Sequence, residues 1–406
     1  MGPSLPRSTV MIWRRLLVPM TLMATILGLA VVILSIRQTG ANARSPSTPM
    51  PPPVEAGISV STNDFALPKA TVSNPDETYR PAPSFTCEGT VPKTKDPALR
   101  QIAVSVATLW KEPGLSRSKD RPSLQNPADL RAWLAPMNTA DKLWLVGKLE
   151  TEVLLGTQVK PLEVRNDWAK AAVAEQGKPG SPDGYTGWSP RSQLSDSLTD
   201  YSACPVAMVI KPTAMLYELA RDQDPAMEIS FGTRLPVVLE EGPRWAVAVP
   251  QGIRWVDQTD VLREAGDRAA MQQESAVTGP QLVETARQFV GLPYLWAGTS
   301  GFGFDCSGFT YSLYRFYGIA IPRDAKDQEV AGTKVKPEEL QPGDLLFYAH
   351  NKGKGQVHHV AMYIGEGRMI HSPQTGRTVE IIPVSTPEYS AEFAGARRFI
   401  PLKPKA

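Results

Sequence analysis

The chain has 406 residues, with 43 basic and 41 acidic side chains and a formal net charge of +2. So even a balance leaves no electrostatic footprint for nucleic acid, and no basic cluster appears beyond the arginines flanking the first apolar run. The length suggests two to four domains, so substrates and partners have to be sought in local sites.

Arg14 and Arg15 precede an uncharged apolar run, Leu16 to Ile36, about long enough to span a bilayer as a helix. Positive charge ahead of it and a Pro/Ser/Thr-rich stretch behind place the amino terminus inside and the remainder outside. Residues 1–44 are therefore expected to form a signal anchor with a transmembrane helix at 16–36, and "ANA" at 41–43 offers a cleavage site for secretion instead. No cysteine lies near the end of the run, which argues against a lipid anchor. In an oxidising compartment Cys87 and Cys204 can pair, leaving Cys306 as the odd thiol of three. Residues 45–98 hold 11 prolines and no lasting periodicity, as expected of a linker or extended arm reaching to about residue 100.

From Gln101 the pattern becomes short alternating apolar segments broken by Gly and Pro, which predicts short strands. A repeat follows: "LLGTQVKPLEVRNDWAKAAV" at 154–173 matches "SFGTRLPVVLEEGPRWAVAV" at 230–249 in its Gly-Thr turn, alternating strand, polar turn and Trp-led strand. Each unit closes with a second tryptophan, in "GYTGWSPRSQL" and "QGIRWVDQTDVL". Two copies predict two related β modules, over 101–196 and 197–265. They resemble bacterial SH3-like barrels. The first carries an insert at 126–150 whose Leu130, Trp133 and Leu134 fall at helical spacing.

From Gly279 to about 402 the character changes again. "PQLVETARQFVG" predicts a helix ending at Gly291 with Leu282, Ala286 and Phe289 on one face. A glycine-rich loop follows, and Cys306 opens a second helix carrying Phe309, Leu313 and Phe316. A thiol at a helix amino terminus meets unpaired N–H groups and the positive end of the dipole, both favouring thiolate. Three of the four histidines lie in "HHVAMYIGEGRMIHSP". Strand alternation puts His359 with Ala361 and Tyr363, and His358 with Val360 and Met362 on the other face. A hairpin centred on Gly365 sets His359 opposite His371, giving a nucleophile, a base and an orienting group. His358 and His350 are expected at the surface. A zinc site on the same Cys/His set is the weaker alternative, because no CxxC or HExxH appears and a further ligand is needed.

The segments "GLPYLWAGTSGFGFDCSGFTYSLYRFYGIAIPRDAKDQ", "QPGDLLFYA", "HVAMYIG" and "MIHSP" resemble the NlpC/P60 cell-wall cysteine peptidases. The resemblance implies an α+β chain with a papain-like catalytic domain behind two SH3-like barrels, and no metal or other cofactor. It further implies hydrolysis of the γ-D-glutamyl to L-diamino-acid bond in peptidoglycan stem peptides, with Cys306 as nucleophile, His359 as base and His371 as the orienting third member. Tyr294 matches a tyrosine beside the nucleophile, and Asp305, Ser307, Arg323 and Asp324 match substrate-contact positions. An Arg323/Asp324 pair suits the two charged ends of a diamino acid. Members with this module order use the first barrel to wall off the groove around a free amino-terminal L-alanine, and Glu150 and Tyr185 fall at the matching positions. Ala325 stands where the family often has serine, and Ala297 where it has glycine. A papain-like acyltransferase and a non-catalytic wall-binding protein are the alternatives; the "PRDA" segment argues against the first and the Cys/His set against the second.

Overall fold

The computed structural model describes residues 85–90, 99–195, 199–264 and 277–400. The segment expected to span a membrane, at 16–36, and most of the expected arm at 45–100 lie outside the described residues. Among the described residues no helix is long and apolar enough to cross a membrane. They all belong to one compact unit that begins at Thr78.

The repeat becomes two sheets of identical strand order. In the first, β1 (Arg100–Ile102), β2 (Val106–Trp110), β3 (Leu149–Leu154), β4 (Gln158–Arg165), β5 (Trp168–Val173), β6 (Tyr185–Pro190) and β7 (Leu194–Ser195) run in the order β3-β2-β6-β5-β4-β1-β7. In the second, β8 (Val206–Val209), β9 (Thr213–Tyr217), β10 (Met227–Ser230), β11 (Arg234–Glu241), β12 (Arg244–Val249), β13 (Gly252–Asp257) and β14 (Val261–Glu264) run β10-β9-β13-β12-β11-β8-β14. The shared Gly-Thr turn has a physical cause: Gly156 and Gly232 sit at φ +77° and +73°, a region that side chains disfavour. A two-residue strand, Phe85–Thr86, adds to β11, and the Cys87–Cys204 disulfide fastens it there across 117 residues of sequence.

The helical insert of the first barrel begins earlier than 126. After a turn of 3-10 helix at Ser118–Asp120 come α1 (Arg121–Leu124), α2 (Leu130–Leu134) and α3 (Thr139–Trp144), while Glu150 belongs to β3. Asp129 and Asn138 cap α2 and α3, accepting from the N–H groups of Ala132 and Asp141. The insert does more than rest on its own barrel. Leu130, Trp133 and Leu145 share a core with Trp110 and Trp188 of the barrel and with Leu295, Ala297 and Phe302 of the glycine-rich loop.

The carboxy-terminal domain packs α4 (Gly279–Arg287) and α5 (Cys306–Phe316) on a six-stranded antiparallel sheet. Its strands are β15 (Thr333–Val335), β16 (Leu345–Ala349), β17 (Val357–Gly365), β18 (Arg368–His371), β19 (Glu380–Pro383) and β20 (Phe393–Arg398), in the order β15-β20-β16-β17-β18-β19. Leu282, Ala286, Phe289, Phe309, Leu313 and Phe316, the stripes predicted for the two helices, meet Phe347, Val360, Met362 and Ile370 in one core. That core fixes the start of α5 against β17, the strand that carries His359.

Candidate active site

The approach to Cys306 is shaped by a near contact of two backbones. A Cβ on Gly298 would lie 2.3 Å from the carbonyl oxygen of Gly303, and one on Gly308 would lie 2.0 Å from that of Gly298, so neither position admits a side chain without movement. Ala297, just before, is held at φ +65°, where glycine is preferred and alanine is strained. The Asp305 N–H donates to the Gly298 carbonyl at 3.1 Å, and the Asp305 carboxylate caps α5 by accepting from the Gly308 N–H at 2.6 Å. Cys306 is the first residue of that helix and is half-buried.

The helix terminus is not the only influence on the thiol. Burial, joined by the neighbouring Asp305 carboxylate, pushes the Cys306 thiol up to about 12, against the backbone N–H groups of Val360 and Ser307 and the charge of Arg323, which act in the other direction. A helix terminus contributes only about 0.3–1 kcal/mol, too little to reverse that loss of solvent.

His359 Nε2 and His371 Nδ1 lie 2.8 Å apart, both rings buried. The hairpin that joins them is set two residues away from the expected register: Met362 faces Ile370 and Tyr363 faces Met369, so His359 and His371 are diagonal neighbours and not direct opposites. A shift of two keeps both side chains on one face, which is why the pair still forms. Burial lowers both imidazoles, His359 well below its ordinary range and His371 to about 4, although Glu380 opposes the shift at His371. Glu380 lies directly across from His371 in β19, with Oε1 3.1 Å from His371 Nε2, and is itself paired with Arg377. Tyr389 packs on both imidazoles, at ring separations of 5.4 and 4.9 Å, and Tyr348 packs on His359 at 5.8 Å. Buried Tyr294 lies near Cys306 and Asp305, and burial holds its hydroxyl far above its ordinary range.

Arg323 takes a different partner from the one read in the sequence. Its guanidinium makes a two-pronged pair with Asp305, at 2.7 and 3.1 Å, and also donates to Ser307 Oγ at 3.0 Å and Thr151 Oγ1 at 3.2 Å, whereas Asp324 is 3.9 Å away. With 2% of its side chain exposed, Arg323 is occupied by the protein. Asp305, Ser307 and Arg323 thus form a buried brace flanking Cys306, tied through Thr151 to the first barrel. The barrel also reaches Asp324: the Tyr185 hydroxyl donates to its carboxylate at 3.2 and 3.3 Å, and the Glu150 charge acts on the same hydroxyl. These three oxygen-bearing groups gather beside the brace, and Lys178 covers the Tyr185 ring at 4.1 Å.

A helix-and-sheet domain on a two-barrel platform has known counterparts. The model of the NlpC/P60 family matches residues 291–398, and that of the YKFC SH3b2 domain matches 209–262. A gamma-D-glutamyl-L-lysine dipeptidyl-peptidase of Bacillus cereus is 46% identical over 307 residues, covering 74% of this chain and 90% of that protein. This chain belongs to the NlpC/P60 family. A protein of the same name from Bacillus subtilis is 37% identical over 302 residues, covering 74% of this chain and 98% of its own. The crystal structure of an NlpC/P60 family protein from Bacillus cereus, 44% identical, matches with a TM-score of 0.69 over 75% of this chain and 100% of that one.

Sequence reasoning missed Glu380 and Tyr389 of this NlpC/P60 domain and Glu152 of the first barrel. Glu380 follows His371 after a loop whose sequence sets no register. Glu152 hides in an ordinary alternating strand, yet it is buried where β3 meets the glycine-rich loop and accepts from the Thr299 N–H at 2.9 Å.

Proposed function

We propose that this chain is a cysteine endopeptidase that hydrolyses the γ-D-glutamyl-L-diamino acid bond of peptidoglycan stem peptides bearing a free amino-terminal L-alanine. The observation that carries the reading is the Tyr185–Asp324 contact with Glu150 acting on the same hydroxyl, which brings acidic groups from two domains together next to Arg323. An ammonium group entering that end needs a negative partner, because unpaired burial is costly. The names of the Bacillus relatives support the bond class.

In the proposed reaction His359 takes the Cys306 proton as sulfur attacks the γ-carbonyl of D-glutamate. The Gly308 N–H is committed to Asp305, so the developing oxyanion falls to the N–H groups of Cys306 and Ser307. The new imidazolium protonates the leaving amine of the diamino acid, and neutral His359 then activates water to release the acyl-enzyme. His371 holds the His359 ring, and Glu380 holds His371. Tyr294 lines the thiol side. Ala325 offers no hydroxyl to the diamino acid, so lysine and diaminopimelate both belong in the assay.

The site of action is proposed to be outside the cytoplasmic membrane, with residues 16–36 as anchor. The disulfide between Cys87 and Cys204 supports an oxidising compartment. Fractionation of cells expressing the full chain, with thiol labelling under denaturation, tests this: a soluble cytoplasmic protein with three free thiols would sink it.

The activity is tested with L-Ala-γ-D-Glu-L-Lys, the diaminopimelate equivalent and their N-acetylated forms, followed by mass spectrometry. Release of L-Ala-D-Glu from the free-amine peptides alone is expected. Equal cleavage of blocked peptides would remove Glu150, Tyr185 and Asp324 from amine recognition, and cleavage of none would defeat the reading.

A further inference from the structure

Away from Cys306, three strand ends of the catalytic sheet meet. His350 directly follows β16, His358 is the second residue of β17, and Glu392 directly precedes β20. Their ligand atoms, two imidazole nitrogens and a carboxylate oxygen, all lie within 4.8 Å of one another. The two imidazoles stack with centroids 4.2 Å apart and planes 15° from parallel, and His358 Nε2 is 2.8 Å from Glu392 Oε2. Both histidines are exposed and Glu392 is half-buried, so an ion can reach all three from solvent.

The backbone is bent to make this meeting. Asn351 and Lys352 are held at φ +55° and +57°, a conformation that costs about 1–2 kcal/mol for a residue with a side chain. Gly353, at φ +77°, passes so close to β20 that a Cβ there would lie 2.3 Å from the Phe393 carbonyl oxygen. The pairing of β16 shifts register toward both neighbours at this end, and the Ala349 N–H donates to the Glu392 carbonyl at 2.9 Å. The charged neighbours in the loop, Lys352 and Lys354, are exposed and extend into solvent.

We propose that His350, His358 and Glu392 are a zinc site, distinct from the catalytic centre, with the fourth position left to water. Two imidazoles and a carboxylate are a donor set that zinc accepts at about 2.0–2.2 Å, which puts neighbouring ligand atoms roughly 3.3 Å apart. Rotation of exposed side chains covers the closure from the present spacing. A bound ion would join the loop after β16 to β17 and β20, and β17 carries His359 at the next position. The site is therefore a clamp on the sheet end that presents the base, and it stabilises the folded chain by mass action.

The test uses the full chain carrying Cys306→Ala, which removes the catalytic thiol as a competing ligand, titrated with Zn2+ and Co2+. One ion per chain is expected, with visible Co2+ absorption of a four-coordinate nitrogen and oxygen site, and a rise of a few degrees in Tm with Zn2+. His350→Ala should abolish the uptake and the Tm rise together, and Glu392→Gln should weaken uptake at least tenfold while leaving the apo Tm in place. No uptake at micromolar metal overturns the site, as does uptake that persists in both variants, which would put the ion elsewhere.

Discussion

The chemistry of single residues departs most from what a helix terminus promises. Cys306 begins a helix, yet lost solvent and the Asp305 carboxylate push its thiol up, and burial holds His359 well below its ordinary range. Alkylation by iodoacetamide should therefore be slow at pH 6 to 7 and accelerate continuously past pH 9. A rate plateau with an apparent pKa near 6 would show a resting thiolate and overturn this account. His371 shows the same dependence on neighbours, since its outer nitrogen is held by Glu380. Replacing Glu380 with glutamine keeps a hydrogen-bond acceptor, whereas alanine removes it and frees the ring. Glu380→Ala is expected to lower kcat up to about 100-fold with little change in KM, and Glu380→Gln to recover most of it. Equal loss in both variants would mean that charge, not orientation, is what Glu380 supplies.

Among the elements, the glycine-rich loop ahead of α5 shows strain retained where packing demands it. Ala297 is buried at φ +65°, and Ala286 is buried in α4 with helical neighbours. Truncating either to glycine loses a methyl worth about 0.8 kcal/mol and frees the unfolded chain by about 0.4–1 kcal/mol. Only at Ala297 is about 1–2 kcal/mol of backbone strain relieved in exchange. Urea denaturation should find Ala297→Gly within about 1 kcal/mol of the parent and Ala286→Gly clearly below it. Matching losses would mean that Ala297 is unstrained.

Over the whole molecule, the first barrel is part of the catalytic domain's support. Trp296 Nε1 donates to the Leu149 carbonyl, Thr299 bonds Glu152 through its N–H and hydroxyl, and the Gly301 N–H donates to Ser230 of the second barrel. Glu152 stands at this junction with Oε1 lacking a partner. Burial pushes its carboxyl up to about 7, opposed by the Thr299 N–H, the Ser300 side chain and Arg323, and reinforced by Asp305. The native state thus keeps a proton that the unfolded chain releases near 4.5, so this group lowers stability as pH rises from about 4.5 to 7. His371 acts oppositely: lowered from 6.5 to about 4, it makes the native state lose stability as pH falls through that window. Glu152→Gln should be nearly neutral at pH 5 and more stable than the parent at pH 8 by up to about 3 kcal/mol. Chemical denaturation at the two pH values measures this, and a variant equally destabilised at both would mean that Glu152 is ionised in the folded chain.

The sequence alone determined the repeated barrels, the two core helices and the meeting of His359 with His371. Each of these rests on local rules: a Gly-Thr turn that needs positive φ, apolar residues at helical or strand period, and a hairpin short enough for its two histidines to share a face even with the register two residues off. Tertiary structure decided what those groups do to one another. Arg323 chose Asp305 over its neighbour Asp324, Glu380 came to His371 across a loop that sets no register, and Glu152 was buried by a domain some 150 residues away in sequence. Such choices depend on which side chains lose water together, and no periodicity records that because desolvation is a property of the packed chain.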